Sequence, residues 1–126
     1  MIEDTLIDII KNDEVVKEIL KPTISNPKIY PYYKNEHIQC ILHKFVPLSS
    51  DGIKEQNRLE LTFIHEDELI AKKLMNRVKE LLITVGDNKL NNEILEISLN
   101  GGGNLVDYQT NTIQLKAFFN IKNRVR

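Results

Sequence analysis

Apolar and polar residues follow two different periods along this chain, and the periods succeed one another in a definite order. Helical spacing comes first, then alternation of the kind seen in strands, then helical spacing again, and finally a second alternating stretch. The order therefore predicts helix, strand, strand, helix, strand, strand. Because each element has one apolar side to bury, we expect an α+β fold with a small, mainly antiparallel sheet of about four strands packed against two helices.

The first helical stretch covers residues 5–20 and carries a polar interruption at Asn12–Asp13. Asp4 can cap the first turn, and Asp13 is placed to cap a new helix, so we expect a kink or a break into two short helices. Pro22 ends the stretch. A short extended piece around Ile29–Tyr30 follows, bracketed by Pro27 and Pro31.

The first strand pair is predicted at His37–Phe45 and Gln56–His65. In the second of these, inward residues alternate with polar ones, the inward set being Leu59, Leu61 and Phe63. Between the two strands, Val46–Glu55 contains Pro47 and Asp51–Gly52, which favour a loop.

The second helix and second strand pair fill the rest of the chain. The helix starts near Glu66 or Asp67 and ends at Val85–Gly86. Its apolar stripe, interrupted only by Lys73, is Leu69, Ile70, Leu74, Val78, Leu81 and Leu82. A third strand alternates with Leu95, Ile97 and Leu99 inward. A fourth runs from about Thr112 to Asn120, with Ile113, Leu115, Ala117 and Phe119 on one face.

Length and composition indicate one domain, residues 1–126. The formal net charge of −1 gives no overall field that would attract nucleic acid or anionic lipid. No apolar run approaches the roughly 20 residues that span a bilayer, so no membrane partner is expected. The acidic start, Met1–Asp4, does not resemble a secretory signal, and we expect the chain to be made and kept in a cytoplasm.

The sharpest candidate for a metal site is the group His37, Cys40 and His43. Odd separations on a strand point to opposite faces, so Cys40 faces away from both histidines and the three cannot converge on zinc without a bulge. His65 could join from the next strand. We expect a buried Cys40 and no metal; a small metal-dependent or hydrolytic enzyme using His37, His43 and His65 is the weakest hypothesis.

Other possible catalytic groups also have simpler interpretations. Ser49 and Ser50 lie beside Asp51, but no Gly-x-Ser-x-Gly elbow surrounds them. The carboxylates at Glu66–Glu68 are explained by helix capping. We therefore expect neither an enzyme nor a bound cofactor.

The glycine run, Asn100–Asn104, and two basic segments could bind phosphate or nucleic acid. A phosphate loop needs a helix after its glycines, whereas a strand follows here, so we expect a flexible turn that orders against another subunit. Tyr30, Tyr32 and Tyr33 near Lys28 and Lys34 could stack on bases, but packing against the sheet is favoured. The basic cluster Lys122–Arg126 is interpreted mainly as a solvated tail.

Several segments together resemble the tail terminator (tail-completion) family of long-tailed bacteriophages. The interrupted helix at Thr5–Leu20 is similar to the family's N-terminal helix, and Ile29–Pro31 resembles its short piece before the first long strand. The strand at Arg58–Phe63 runs into the helix at Glu66–Leu82 as in the family's centre. The segment Val106–Phe119 resembles its closing strand, whereas Lys34–His37 departs from the family pattern.

The resemblance implies a structural virion protein that caps the head-proximal end of a tail tube as a homohexameric ring, stops tube polymerisation and joins the head connector. Its implied partners are further copies of itself, tail tube protein and the connector or neck protein, with DNA only as cargo through the lumen. Localisation would be the tail or neck of the virion, and the host cytoplasm during assembly. A connector-completion protein of the head-tail joint is the closest alternative.

Subunit or tube contacts are assigned from the resemblance to two loops, Pro47–Gln56 and Asn100–Tyr108, and to the C-terminal strand. The contact residues within the loops are Pro47, Ser49, Ser50, Lys54, Gly101, Gly102, Gly103, Asn104, Asp107 and Tyr108.

Overall fold

A computed structural model describes residues 2–24, 27–32, 39–83, 94–108 and 111–125 of the chain. The predicted α+β class and order of elements are confirmed, with one helix broken in two and one short strand added. The helices are α1 (Ile2–Lys11), α2 (Glu14–Leu20) and α3 (Glu68–Ile83); the strands are β1 (Ile29–Pro31), β2 (Cys40–Ser50), β3 (Lys54–His65), β4 (Ile94–Asp107) and β5 (Thr112–Arg124).

The five strands form one sheet in the order β1-β2-β3-β5-β4. All neighbours are antiparallel except β1 and β2, which run parallel over the three residues of β1. The sequence predicted a short extended piece at β1 and not its pairing, because three residues carry no periodicity. In the described part of the chain, β1 and β4 are the edge strands.

Apolar residues of all three helices pack on one face of the sheet. Inward positions of β3 and β5 lie at the centre of this core and are almost completely buried: Leu59, Leu61, Phe63, Leu115, Ala117, Phe119 and Ile121. Helix residues close over them from one side, chiefly Leu6, Ile10, Val16, Leu20, Leu74, Val78 and Leu82. Burial of this apolar surface is the main force that stabilises the two layers.

The predicted break at Asn12–Asp13 is confirmed. Asp13 has an extended backbone and its side chain accepts a hydrogen bond from the Val16 backbone N–H at 3.2 Å, as an N-cap does. Lys21 ends α2 in a left-handed conformation, and its N–H donates to the Lys17 carbonyl. Pro22 follows directly and cannot continue the helix.

The predicted loop at Val46–Glu55 is wrong. β2 continues to Ser50 and β3 begins at Lys54, so only Asp51–Ile53 turn the chain. Pro47 is tolerated because it lies beside a register shift on a part of β2 that β1 does not cover. Proline and serine indicated a loop because they are rare in central strands, and here the strand has an uncovered side.

In α3 the predicted stripe is shifted at its start. Leu69 is 76% exposed, whereas Ala71 is fully buried beside Leu74, Val78 and Leu82. Asp67 caps the helix, its carboxylate accepting from the Leu69 N–H at 2.9 Å. Capping places Leu69 in the first turn on the outer side, which apolar spacing alone did not indicate. The predicted end at Val85–Gly86 lies outside the described residues.

The inward set predicted for the third strand is also partly wrong. A bulge between Ile94 and Glu96 adds a residue to β4, so Ile94 takes the inward position predicted for Leu95. Ile97 and Leu99 lie on the inward face as predicted, opposite Ile121 and Phe119, although Leu99 is 43% exposed. Strict alternation cannot anticipate a bulge. The face predicted for the fourth strand is confirmed, and β5 continues beyond Asn120 to Arg124.

Candidate assembly surfaces

The tip of the β2–β3 hairpin holds four of the ten predicted contact residues: Pro47, Ser49, Ser50 and Lys54. All four are exposed. A register shift between Pro47 and Ser49 turns Leu48 toward solvent, and Ile53 in the turn is 72% exposed. The tip thus presents apolar side chains on a defined backbone.

Hydrogen bonds between side chains and the backbone define the conformation of this turn. Asp51 Oδ1 accepts from the backbone N–H groups of Ile53 at 2.9 Å and Lys54 at 2.7 Å. These bonds favour the charged carboxylate and hold the pKa of Asp51 below its usual value. Ser50 Oγ accepts from the Gly52 N–H at 3.2 Å, and Gly52 has φ +88°. The Asp51 carboxylate and the Ser50 hydroxyl therefore support the turn.

The distal half of β4 holds five of the other six predicted residues, and the sixth, Tyr108, follows the strand directly. The five are Gly101, Gly102, Gly103, Asn104 and Asp107. The glycine run was predicted as a flexible turn, and that prediction is wrong: the run lies inside β4 and pairs with β5. Its glycines build a second bulge, between Leu99 and Gly102, in which Gly101 has φ +103°. The turn of this hairpin comes later, after Asp107.

Close backbone approach explains the glycine at position 102. A Cβ built there would lie 2.3 Å from the Lys116 carbonyl oxygen, inside any permitted contact. A Cβ at Gly103 would meet nothing within 4 Å. Past the bulge, Leu105, Val106 and Tyr108 are 54%, 47% and 87% exposed. The run thus leads to an apolar, solvent-facing strand end.

The tip of the β2–β3 hairpin and the distal end of β4 lie at opposite ends of the sheet. Lys54, at the start of β3, pairs with Arg124, whereas His65, at the end of β3, pairs with Ile113 next to Val106. From Ile97 to Val106, β4 contains no charged residue and no proline. Such residues are the usual protection of an edge strand against pairing with other chains.

The described histidine and cysteine side chains are buried in the fold or hydrogen-bonded to neighbouring residues. Cys40 is fully buried, and burial raises the pKa of its thiol to about 12. His43 faces the helical layer, where its Nδ1 lies 2.9 Å from Glu3 Oε2. His65 Nδ1 accepts from the Asp67 N–H at 2.9 Å, at the start of α3. The predicted opposite orientation of Cys40 and His43 agrees with these surroundings.

Within the described ranges, no three His, Cys, Asp or Glu residues lie close enough together to hold a metal ion. His37, the remaining member of the candidate set, lies outside them, as does Tyr33. Tyr32 does not pack into the core: it is exposed, with the Lys44 ammonium 5.0 Å from its ring centre. No described helix has the length and apolarity needed to cross a membrane.

Two polar clusters were not predicted from the sequence. The guanidinium of Arg77, in α3, donates one hydrogen bond to each carboxylate oxygen of Asp13. At the far end of β3 and β5, buried Asn57 and Asn123 share a hydrogen bond of 2.8 Å, and Asn123 also donates to Glu55 at 2.7 Å. Asn57 and Asn123 occupy inward positions in strands whose other inward residues are mostly apolar, and this was the signal in the sequence that could have predicted the cluster.

Comparison with known proteins finds a shared fold without a similar sequence. No protein-family model and no curated protein sequence matches the chain. Among solved structures, the chain is similar to a chain of the "Virion of native gene transfer agent (GTA) particle", with a TM-score of 0.63 and 8% identity. The match covers 95% of this chain and 92% of the other. At this identity the likeness establishes a shared fold over nearly the whole of both chains.

Proposed function

We propose that this chain is a structural protein of a phage-like virion, and specifically a tail terminator. It caps the head-proximal end of the tail tube as a homohexameric ring, ends tube polymerisation and forms the surface that joins the head connector. The observation that carries the proposal is the near-complete overlap of this fold with one chain of a gene transfer agent virion. The sequence resemblance to tail terminators narrows the role within the particle.

The surfaces of the molecule suit repeated head-to-tail association. Its two exposed hairpin tips lie at opposite ends of the sheet, so one copy can present the β2–β3 tip where the next presents the β4–β5 tip. A heterologous contact of this kind generates a closed ring when the rotation between copies closes. The uncharged β4 edge offers a second contact by strand pairing.

The proposed role uses no catalytic residue, and the two described histidines form hydrogen bonds that support the fold. His43 holds Glu3 of α1 against the sheet, and His65 accepts the bond that starts α3. Cys40 is inaccessible at 0% exposure. On this proposal the partners are further copies of the chain, the tail tube protein, the connector and the DNA that passes through the lumen.

Light scattering and negative-stain imaging test the proposal. The purified chain, alone or after addition of the tail tube protein of its own virion, should form rings of about six subunits that sit on one end of tubes and limit their length. Tubes that grow to the same length with and without the chain would contradict the terminator role. Binding to the connector without any effect on tubes would favour a connector-completion protein.

A matched pair of variants locates the contact. Leu105→Asp places a charge on the exposed end of β4, whereas Leu69→Asp places one on the exposed start of α3. We expect Leu105→Asp to lose ring formation and Leu69→Asp to keep it, with both remaining folded by circular dichroism. Intact rings of the Leu105→Asp variant would exclude the β4 end as a contact.

A further inference from the structure

The face of the sheet that the helices leave uncovered is strongly basic, although the whole chain has a formal net charge of −1. The register places six cations and three carboxylates on it, a formal excess of three positive charges. The cations are Lys44, Lys54, Arg58, Lys116, Lys122 and Arg124, and the carboxylates are Glu60, Glu96 and Asp107. We call this surface the basic face.

Pairing of neighbouring strands fixes which side chains share this face. Lys54 lies opposite Arg124, and Lys44 lies opposite Glu60. Two of the three carboxylates pair with cations of the same face: Glu60 Oε2 lies 3.0 Å from Arg58 Nη2, and Glu96 Oε2 lies 3.6 Å from Lys122 Nζ. The third, Asp107, lies at the end of β4 opposite Thr112.

The remaining cations are available to a partner. In the described part of the chain, Lys116 and Arg124 are exposed and have no carboxylate within ion-pair distance. Lys44 is exposed too and lies over the Tyr32 ring, which leaves its charge in place. Lys54 is exposed and partly offset by Asp51 in the adjacent turn.

These charges are spread along the sheet and do not converge on one point. Lys116 and Arg124 are eight residues apart on β5, which corresponds to about 27 Å at the usual rise of a strand. Such a distribution fits an extended polyanion better than a single phosphate. Duplex DNA carries one negative charge per roughly 1.7 Å of its axis, so a strip of this length faces many phosphates.

We propose that the basic face contacts the phosphate backbone of duplex DNA. The choice of DNA among polyanions rests on the proposed function, in which DNA passes through the ring. Lysine and arginine side chains on the face of a sheet neutralise phosphates without reading bases, so the contact is independent of DNA sequence. The face thereby tolerates any DNA that passes it.

Fluorescence anisotropy with a labelled 30-base-pair duplex tests the assignment. The full chain is titrated at several salt concentrations, together with the double variant Lys116→Gln/Arg124→Gln. A matched control is Lys11→Gln/Lys73→Gln, which removes two exposed lysines from the helical side. We expect the basic-face variant to bind at least tenfold more weakly at low salt, with a salt slope smaller by about 2, and the control to bind as the unaltered chain does.

Three results would overturn the proposal. The first two are no binding by the unaltered chain at low salt and equal weakening by both double variants. The third is displacement of the DNA by poly-glutamate at the same charge concentration, which would mean that the face fits an acidic protein instead. Tube capping is measured on the same samples, so rings without DNA binding refute only this inference, and DNA binding without rings or capping refutes only the proposed function.

Discussion

Arg77 on α3 binds Asp13 at the junction of α1 and α2 through two hydrogen bonds. The Nη2 group donates to Oδ1 at 2.7 Å, and Nε donates to Oδ2 at 3.1 Å. The same Oδ2 accepts from the Val16 N–H, so one carboxylate caps α2 and fastens it to α3. The Asp13 side chain is 8% exposed, which separates this pair from the ion pairs of the outer surface.

The cap and the ion pair at Asp13 can be separated by substitution. Asp13→Asn keeps an oxygen that can cap α2 but removes the charge, whereas Asp13→Ala removes both. We expect Asp13→Ala to lower the free energy of unfolding by about 1–2 kcal/mol and Asp13→Asn by roughly half as much. Urea denaturation measures both, and equal losses would show that the cap contributes nothing.

Stability should fall in acid because of the same residue. The hydrogen bonds from Arg77 are the largest cause of the lowered pKa of Asp13 in the folded chain. A lowered pKa stabilises the fold at pH values above the unfolded carboxyl pKa of about 3.9, and this contribution is lost as pH falls through the folded value. The difference in unfolding free energy between the unaltered chain and Asp13→Asn should therefore be constant near neutral pH and shrink below about pH 4. A difference that grows in acid would contradict this assignment.

The fold was largely predictable because most elements carry a clear period. Leu59, Leu61 and Phe63 alternate without interruption and are fully buried, and Asp13 marked the break between α1 and α2. Where the prediction failed, a β-bulge or a helix cap had changed the period of the apolar residues. The bulge after Ile94 places Ile94 inward where Leu95 was predicted, and the cap at Asp67 places Leu69 outward.

The candidate surfaces were predicted less well, because residues that favour loops were interpreted as loops. Proline, serine and glycine indicated a loop at Val46–Glu55 and a turn at Asn100–Asn104, yet both segments are largely strand. The predicted residues do lie at hairpin ends and bulges, where their backbone is needed. The charge imbalance of the sheet could not be read from the sequence, because it depends on which strands are neighbours.

Gly102 and Gly103 should respond differently to the same substitution. Gly102→Ala forces a Cβ against the Lys116 carbonyl, so we expect the free energy of unfolding to fall by about 1–3 kcal/mol. Gly103→Ala meets open space and should be neutral or stabilising by up to about 1 kcal/mol, since alanine restricts the unfolded chain. Chemical denaturation of both variants is the measurement. Equal effects would mean that the bulge does not bring β4 against β5 as described.

Cys40 should be inert while the chain is folded. Its thiol is buried and its pKa is raised to about 12, so the reactive thiolate is scarce at neutral pH. We expect a thiol reagent such as Ellman's reagent to modify it only as fast as the chain opens, and at once in denaturant. Fast modification of the native protein, with no change on adding urea, would contradict the burial of Cys40.

Two asparagines of β5 provide a last matched comparison. Asn123 is fully buried and joins Asn57 to Glu55, so Asn123→Ala leaves polar groups without a partner in the core. Asn120 lies on the basic face, and its Oδ1 is buried without a hydrogen-bond partner in the described structure. We expect Asn123→Ala to lower the free energy of unfolding by about 1–3 kcal/mol and Asn120→Ala to change it by less than about 0.5 kcal/mol. Thermal and urea unfolding of both variants decide the matter: a larger loss for Asn120→Ala would show that the amide on the basic face, and not the buried cluster, stabilises the end of the sheet.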